Sequence, residues 1–331
     1  MSYSDFSQEG KEQVASQFIT EIDTRLKQAC NVVRFEQKFN SKPEIVLSEK
    51  PALTKEENEL RYIKNKDYFW DIFTFRGLSV SGLNNYLKCP WRYFFRNLLQ
   101  LPDVKNISMI FGSAIHEALN TYLISRKKSN IDLSFLLKQY NQALLKQPLN
   151  EKELDELIKK GEQVLKGYYK EKVSKWQHNL GSEIEIKGIR FEDGIFLNGK
   201  IDMIEKIDKM GSVIVYDFKT GKPKTRNLME GKINGASGDY KRQLVFYKIL
   251  LERFKEGRNK MRVVNGIIEF IEPDKNGIYH TELFEITKND VLELEKVIRQ
   301  IAFDIKTLNF WEKKCDDKKC TYCKMRTYLK G

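Results

Sequence analysis

VIVYDFKT, residues 213–220, alternates its side chains as a strand would: Val213, Val215, Asp217 and Lys219 share one face, and Ile214, Tyr216 and Phe218 the other. Both faces begin apolar. An acid and an amine therefore continue the line of a buried face, which is costly unless something pairs with them. Upstream, Asp208-Lys209-Met210-Gly211 reads as a turn. With Ile207 then paired to Ser212, counting back along the ladder places Asp202 opposite Asp217. Cross-strand neighbours lie roughly 4.5–5.5 Å apart at Cβ, where like charges destabilise a sheet. A divalent cation reverses that sign, and two carboxylates completed by water and phosphate suit Mg2+ or Mn2+ better than Zn2+. The tripeptide D-x-K carries little weight alone. It equally describes a salt bridge at a strand end with Asp202 merely solvated, and a one-residue slip turns Asp202 to the opposite face.

Working outward, residues 182–191, 195–207 and 212–218 read as three consecutive antiparallel strands, with Gly194 and Gly211 in the breaks between them. Helical periodicity covers 111–126, 132–146 and 151–176 before them. After them come a Gly- and Lys-rich loop (220–239), a helix at about 239–255, two strands and a helix at about 288–308. This order predicts an α/β domain with a central mixed sheet flanked by helices. The segment SVSGLNNYLKCPWRYFF (79–95) begins with a Ser cap and predicts a short helix that ends or kinks at Pro90. Most of its aromatics, Trp91, Tyr93 and Phe94 among them, read as core, with stacking on bases as the alternative. Residues 1–76 are polar and predict an N-terminal connector, with a helical stretch through Val14, Phe18, Ile19, Ile22 and Leu26 and an extended segment at 41–53; residues 77–331 form the domain.

Bulk properties narrow the partner. With 58 Lys plus Arg against 46 Asp plus Glu, the net charge of +12 favours a polyanion, nucleic acid first and an acidic membrane second. No stretch approaches the roughly 20 apolar residues of a membrane span, and the first residues lack the apolar centre of a signal peptide, so the expected location is cytoplasmic. Disulfides are disfavoured there, and three of the five cysteines fall in the last seventeen residues, which points to a metal or cluster site. The basic residues Lys222, Lys224, Arg226 and Lys232 in the loop after 213–220 are candidates for following a DNA backbone.

GKID (199–202) and DFK (217–219) resemble the two core motifs of the PD-(D/E)XK nuclease superfamily, whose core is restriction-endonuclease-like. FGSAIHEAL (111–119) resembles the GxxxH helix of its RecB-like branch, QLVFY (243–247) its QxxxY motif, and residues 79–95 the opening of AddB-type nuclease domains. The resemblance implies that His116, Asp202, Asp217 and the Phe218 carbonyl bind Mg2+ or Mn2+. It implies that Lys219 orients or deprotonates the attacking water, and that Gln243 and Tyr247, one helical turn apart, steady Lys219 or touch DNA. On residue type alone, His116 and Tyr247 equally suit packing and Gln243 the surface. Glu117 lies about 100° from His116 around the helix and is not expected to be a ligand.

In the RecB-like branch a distant N-terminal cysteine joins three C-terminal ones around a [4Fe–4S] cluster. Cys89, Cys315, Cys320 and Cys323 would hold it here, with Zn2+ as the alternative. The spacing departs from the family pattern, since the position six residues beyond the CxxC pair is Leu329: either Cys315 substitutes from the other side or the site is a three-Cys remnant that binds nothing. Residues 1–30, ASQFITEI (15–22) above all, resemble the end of the helicase region of UvrD-like proteins, while no GxxxxGK[ST] loop occurs. The expected activity is thus a metal-dependent exonuclease on single-stranded or unwound DNA ends in recombination and repair, beside a UvrD/RecB-like helicase. The alternatives are a silent DNA- or helicase-binding module of the same fold and a zinc-ribbon DNA-binding protein.

Overall fold

The structure, a computed structural model, describes residues 65–102, 105–176, 180–254 and 261–329. The helical stretch at 14–26, the helicase-like residues 15–22, Cys30, the extended segment 41–53 and His178 lie outside the described residues.

Capping side chains fix where the helices begin. Asn65 accepts the Tyr68 N–H at the start of α1 (Lys66–Arg76), and Ser79 accepts the Gly82 N–H at the start of α2 (Val80–Lys88), which follows the short strand β1 (Leu78–Ser79). The helix ends at Cys89, and Pro90 opens α3 (Pro90–Tyr93) at a position where its missing N–H costs nothing. Three helices come next: α4 (Ile107–Ser125), α5 (Leu133–Leu145) and α6 (Glu151–Glu171), the last opened by a reciprocal Asn150–Glu153 capping box. The strand region comprises β2 (Leu180–Gly181), β3 (Ile184–Glu192), β4 (Ile195–Ile201), β5 (Met203–Lys206) and β6 (Ser212–Lys219). The chain continues through α7 (Arg226–Glu230), α8 (Asp239–Arg253), β7 (Arg262–Phe270), β8 (Thr281–Glu285), α9 (Lys288–Thr307) and α10 (Thr321–Met325).

The α/β expectation holds, with one difference in how the strands are shared. The single central sheet is two sheets: β1-β4-β3, and a five-stranded sheet ordered β2-β5-β6-β7-β8 in which β6 and β7 run parallel and the other pairs antiparallel. Residues 195–207, read as one strand, divide at Asp202. β4 pairs with β3 in the small sheet, whereas β5 pairs with β6 in the large one. Alternation has the same period on both sides of such a crossing, so the sequence pattern does not mark it. The parallel β6–β7 pair requires a crossover, and α7 and α8 supply it.

The five-stranded sheet lies between two apolar cores. Ile204, Val213, Val215 and Ile268 belong to a core shared with α8, α9 and the buried aromatics Trp91, Phe94, Phe310 and Trp311. Met203 and Phe218 belong to a second core built by α4, α5 and α6. Trp91, Tyr93 and Phe94 are buried, so they pack rather than stack on a ligand. The sequence boundary at residue 76 falls at the end of α1, whose Phe69 and Phe73 are buried in the same core as Leu78 and Trp91. No helix among the described residues is long and apolar enough to cross a membrane.

Candidate active site

The β5–β6 hairpin sets the register on which the site depends. Asp208 Oδ1 accepts the N–H groups of Met210 and Ser212 at 2.8 and 2.9 Å, and Gly211 takes φ 92°, a left-handed value that glycine adopts without a steric cost. Ile207 N–H then bonds Ser212 O, and the ladder pairs Lys206 with Val213, Glu205 with Ile214, Ile204 with Val215 and Met203 with Tyr216. The next residues along the two strands are Asp202 and Asp217. They share the face of Ile204 and Val215.

Asp217 is 2% exposed. Its Oδ1 accepts the Tyr247 hydroxyl at 3.0 Å, and Oδ2 lies 2.7 Å from Lys219 Nζ. That ammonium is the nearest charge to Oδ2 and forms a buried ion pair with it. Lys219 donates to Gln243 Oε1 at 2.8 Å, and Gln243 Nε2 donates to the Tyr247 hydroxyl at 2.7 Å. The four side chains thus close a ring. Asp202 sits where the chain passes between the two sheets; its Oδ2 accepts the Phe218 N–H at 2.8 Å and its Oδ1 lies 3.0 Å from His116 Nδ1.

Close packing brings the helical members in. A Cβ on Gly112 would stand 2.9 Å from Thr220 Oγ1, so α4 crosses the end of β6 at contact distance. One turn further on the same face, His116 meets Asp202. Similarly, Gly266 of β7 lets Leu244 of α8 approach until a Cβ would be 2.9 Å from it, which places Gln243 and Tyr247 over the strand ends.

The electrostatics follow from burial. Burial raises the Asp217 carboxyl above its ordinary value; Lys219 draws it down, and the Asp202 charge pushes it up again. Burial opposes protonation of Lys219, but the Asp217 carboxylate outweighs it and holds the amine as an ammonium. Burial likewise opposes protonation of His116, and the bond to Asp202 outweighs it, so the imidazole pKa is raised.

These residues border a cavity of about 600 Å³ that Asn120, Glu183, Lys200 and Thr220 also line. Glu117 lines it too, but its carboxylate pairs with Lys146 at 2.6 Å. Sequence reasoning missed Glu183 and Lys200, an ion pair at 2.6 Å, and Tyr240, whose ring lies 4.8 Å from Lys219 Nζ and 4.5 Å from Lys224 Nζ. The signal for Lys200 was available, because it stands two residues before Asp202 on an alternating stretch. Of the four loop bases, Lys222, Lys224 and Lys232 are exposed. Arg226 is held by Glu230 at 2.6 Å and by the Leu283 carbonyl, and lies over the Phe284 ring, while Lys232 pairs with Glu230. His280, to which the sequence assigned no role, pairs with Asp274 at 2.9 Å.

From the α2–α3 junction and the C-terminal tail, Cys89, Cys315, Cys320 and Cys323 converge with all four sulfurs within 4.8 Å of one another. They are free thiols.

Over residues 77–328, an order of motifs carried by this geometry matches the sequence pattern of the PD-(D/E)XK nuclease superfamily. The chain belongs to that superfamily. A segment of this PD-(D/E)XK protein is 25% identical over 200 residues to the B subunit of the ATP-dependent helicase/deoxyribonuclease of Clostridium perfringens strain SM101, covering 51% of this chain and 17% of that relative. The counterpart in strain 13 is 24% identical over the same shares. The match therefore spans less than a fifth of those relatives. A candidate exonuclease of Eubacterium rectale aligns in structure with a TM-score of 0.48 and 12% identity, over 83% of this chain and 94% of that one.

Members of the superfamily usually use divalent metals, and the residue types here fit one: Asp202 and the buried Asp217 both present carboxylate oxygens to the same cavity. Among the described residues, the four cysteines form the close group of potential ligands, and His116, Asp202 and Asp217 do not form one, although His116 and Asp202 are in contact at 3.0 Å.

Proposed function

We propose that this PD-(D/E)XK nuclease is a Mg2+- or Mn2+-dependent deoxyribonuclease that degrades single-stranded or unwound ends during recombination and repair. The observation that carries the reading is the buried Asp217 carboxylate, one residue beyond the last β5–β6 pair and paired to Lys219, at the wall of a 600 Å³ cavity that Asp202 also lines. Asp202, Asp217, the Phe218 carbonyl and His116 would hold the cation, His116 by releasing Asp202. When bound, a divalent cation polarises the phosphoryl oxygen and lowers the pKa of the attacking water.

The chain's own residues do the rest. Lys219, kept charged by Asp217, presents an ammonium where negative charge accumulates on the phosphate, and it orients the water rather than deprotonating it. Gln243 and Tyr247 hold Lys219 and Asp217 at fixed separation, so little reorganisation is needed as charge develops. Lys222 and Lys224, exposed beyond β6, would follow the backbone of the incoming strand. The likeness to the clostridial helicase/deoxyribonuclease and the sequence of residues 15–22 support a helicase partner and a cytoplasmic role in end processing.

Incubation of the full chain with 5′- and 3′-end-labelled single- and double-stranded DNA tests this. Cleavage is expected with Mn2+ or Mg2+, none with chelator, and a loss of at least about 100-fold in Lys219→Ala and Asp217→Ala. Equal cutting by all three proteins contradicts the mechanism. Absence of cutting by any of them, with DNA still bound, supports the silent module instead.

A further inference from the structure

The four sulfurs are closer together than an iron–sulfur cluster permits. Cys89 Sγ and Cys315 Sγ each lie 3.6 Å from Cys323 Sγ, and Cys320 Sγ lies 3.8 Å from Cys89 Sγ. Four thiolates about 2.3 Å from one tetrahedral ion stand about 3.8 Å apart along each edge. In a [4Fe–4S] cluster each thiolate binds a different iron, with sulfides between, so no two thiolates approach to contact.

The local backbone supports a mononuclear site. Cys320 caps α10 and Cys89 caps α3, and the first N–H groups of a helix lack intrahelical acceptors. Donors of this kind stabilise thiolates. Arg92 and Arg326 each follow a cysteine by three residues, and each keeps a buried Nε without a hydrogen-bond acceptor.

We propose that Cys89, Cys315, Cys320 and Cys323 bind one structural zinc ion in place of the [4Fe–4S] cluster that the family resemblance implies. The spacing in sequence agrees: the position six residues beyond the CxxC pair is Leu329, and Cys315, from the other side, completes a compact set. The ion would tie the α2–α3 junction to the tail, residues 231 and 234 positions apart, and close the first core around Trp91 and Trp311.

The full chain, expressed with ample iron and zinc and purified under anaerobic conditions, is assayed for zinc, iron and acid-labile sulfide, and its visible spectrum is recorded. The expected result is one zinc per chain, no sulfide and no broad visible absorption. Co2+ exchanged for the ion should give the intense visible bands of a tetrahedral thiolate complex. Cys323→Ala should lower zinc by at least tenfold, and Cys315→Ser should do the same, which guards against a single variant that misfolds. Iron with stoichiometric sulfide overturns the proposal, as does wild-type protein without metal, or zinc retained in both variants. None of these readouts involves DNA cleavage, so the outcome is separate from that of the nuclease assay.

Discussion

Tyr247 joins the two halves of the candidate site: its hydroxyl donates to Asp217 Oδ1 at 3.0 Å and accepts from Gln243 Nε2 at 2.7 Å. Tyr247→Phe removes both bonds while keeping the ring that fills the core. Side chains that hold metal ligands in place commonly contribute 10–100-fold to affinity or activity. In Tyr247→Phe the Mn2+ concentration for half-maximal cleavage is therefore expected to rise about tenfold with an unchanged circular dichroism spectrum; an unchanged Mn2+ requirement would remove Tyr247 from the site. This role was only half legible in the sequence. The four-residue spacing put Gln243 and Tyr247 on one face, but which face of α8 meets the strand ends depends on packing that no local pattern encodes. Glu183 and Tyr240 were invisible for the same reason, since their partners Lys200 and Lys219 lie 17 and 21 positions away on other elements.

Among the elements, α8 does most to assemble the site, and Gly266 decides how near it comes. A methyl group there would stand 2.9 Å from Leu244 Cβ and Cδ1 of the helix, deep in a core where neither side can give way cheaply. Gly266→Ala should destabilise the protein by about 1–3 kcal/mol, read from the denaturation midpoint, and should slow cleavage by shifting Gln243 and Tyr247. Wild-type stability and rate together would show that α8 has slack. The helices were legible because each carries an apolar stripe of helical period: α4, α5, α6, α8 and α9 lie within a few residues of their sequence-based bounds. The two-sheet division was not. Ile201-Asp202-Met203 alternates as smoothly as any single strand, and only the three-dimensional partners distinguish β4 from β5. The hairpin count was sound because turn chemistry at Asp208 and Gly211 is local.

On the scale of the whole molecule, a net charge of +12 sets a field for polyanions. Arg226 and Lys232 are engaged with Glu230, so the share of DNA attraction carried by the loop falls to Lys222 and Lys224. Measured in Ca2+ to suppress cleavage, log affinity for single-stranded DNA should fall linearly with log salt, and the Lys222→Ala/Lys224→Ala variant should lower the slope by about 1.4; an unaltered slope places the strand elsewhere. The fold as a whole delivers two carboxylates to one cavity, one of them buried where its own charge is unfavourable. Because the Asp217 pKa is raised, its protonated form is favoured in the folded state. Its contribution to stability is present below the ordinary carboxylate range and is lost as pH rises through the folded value, so a cation is needed most near neutrality. Calorimetric titration of the full chain with Mn2+ near neutral pH, with Asp202→Ala and Asp217→Ala beside it, tests that arrangement most directly. The predicted result is binding by the wild type that weakens as pH falls and is lost in both variants; wild-type binding retained in either variant would contradict a cation shared between Asp202 and Asp217.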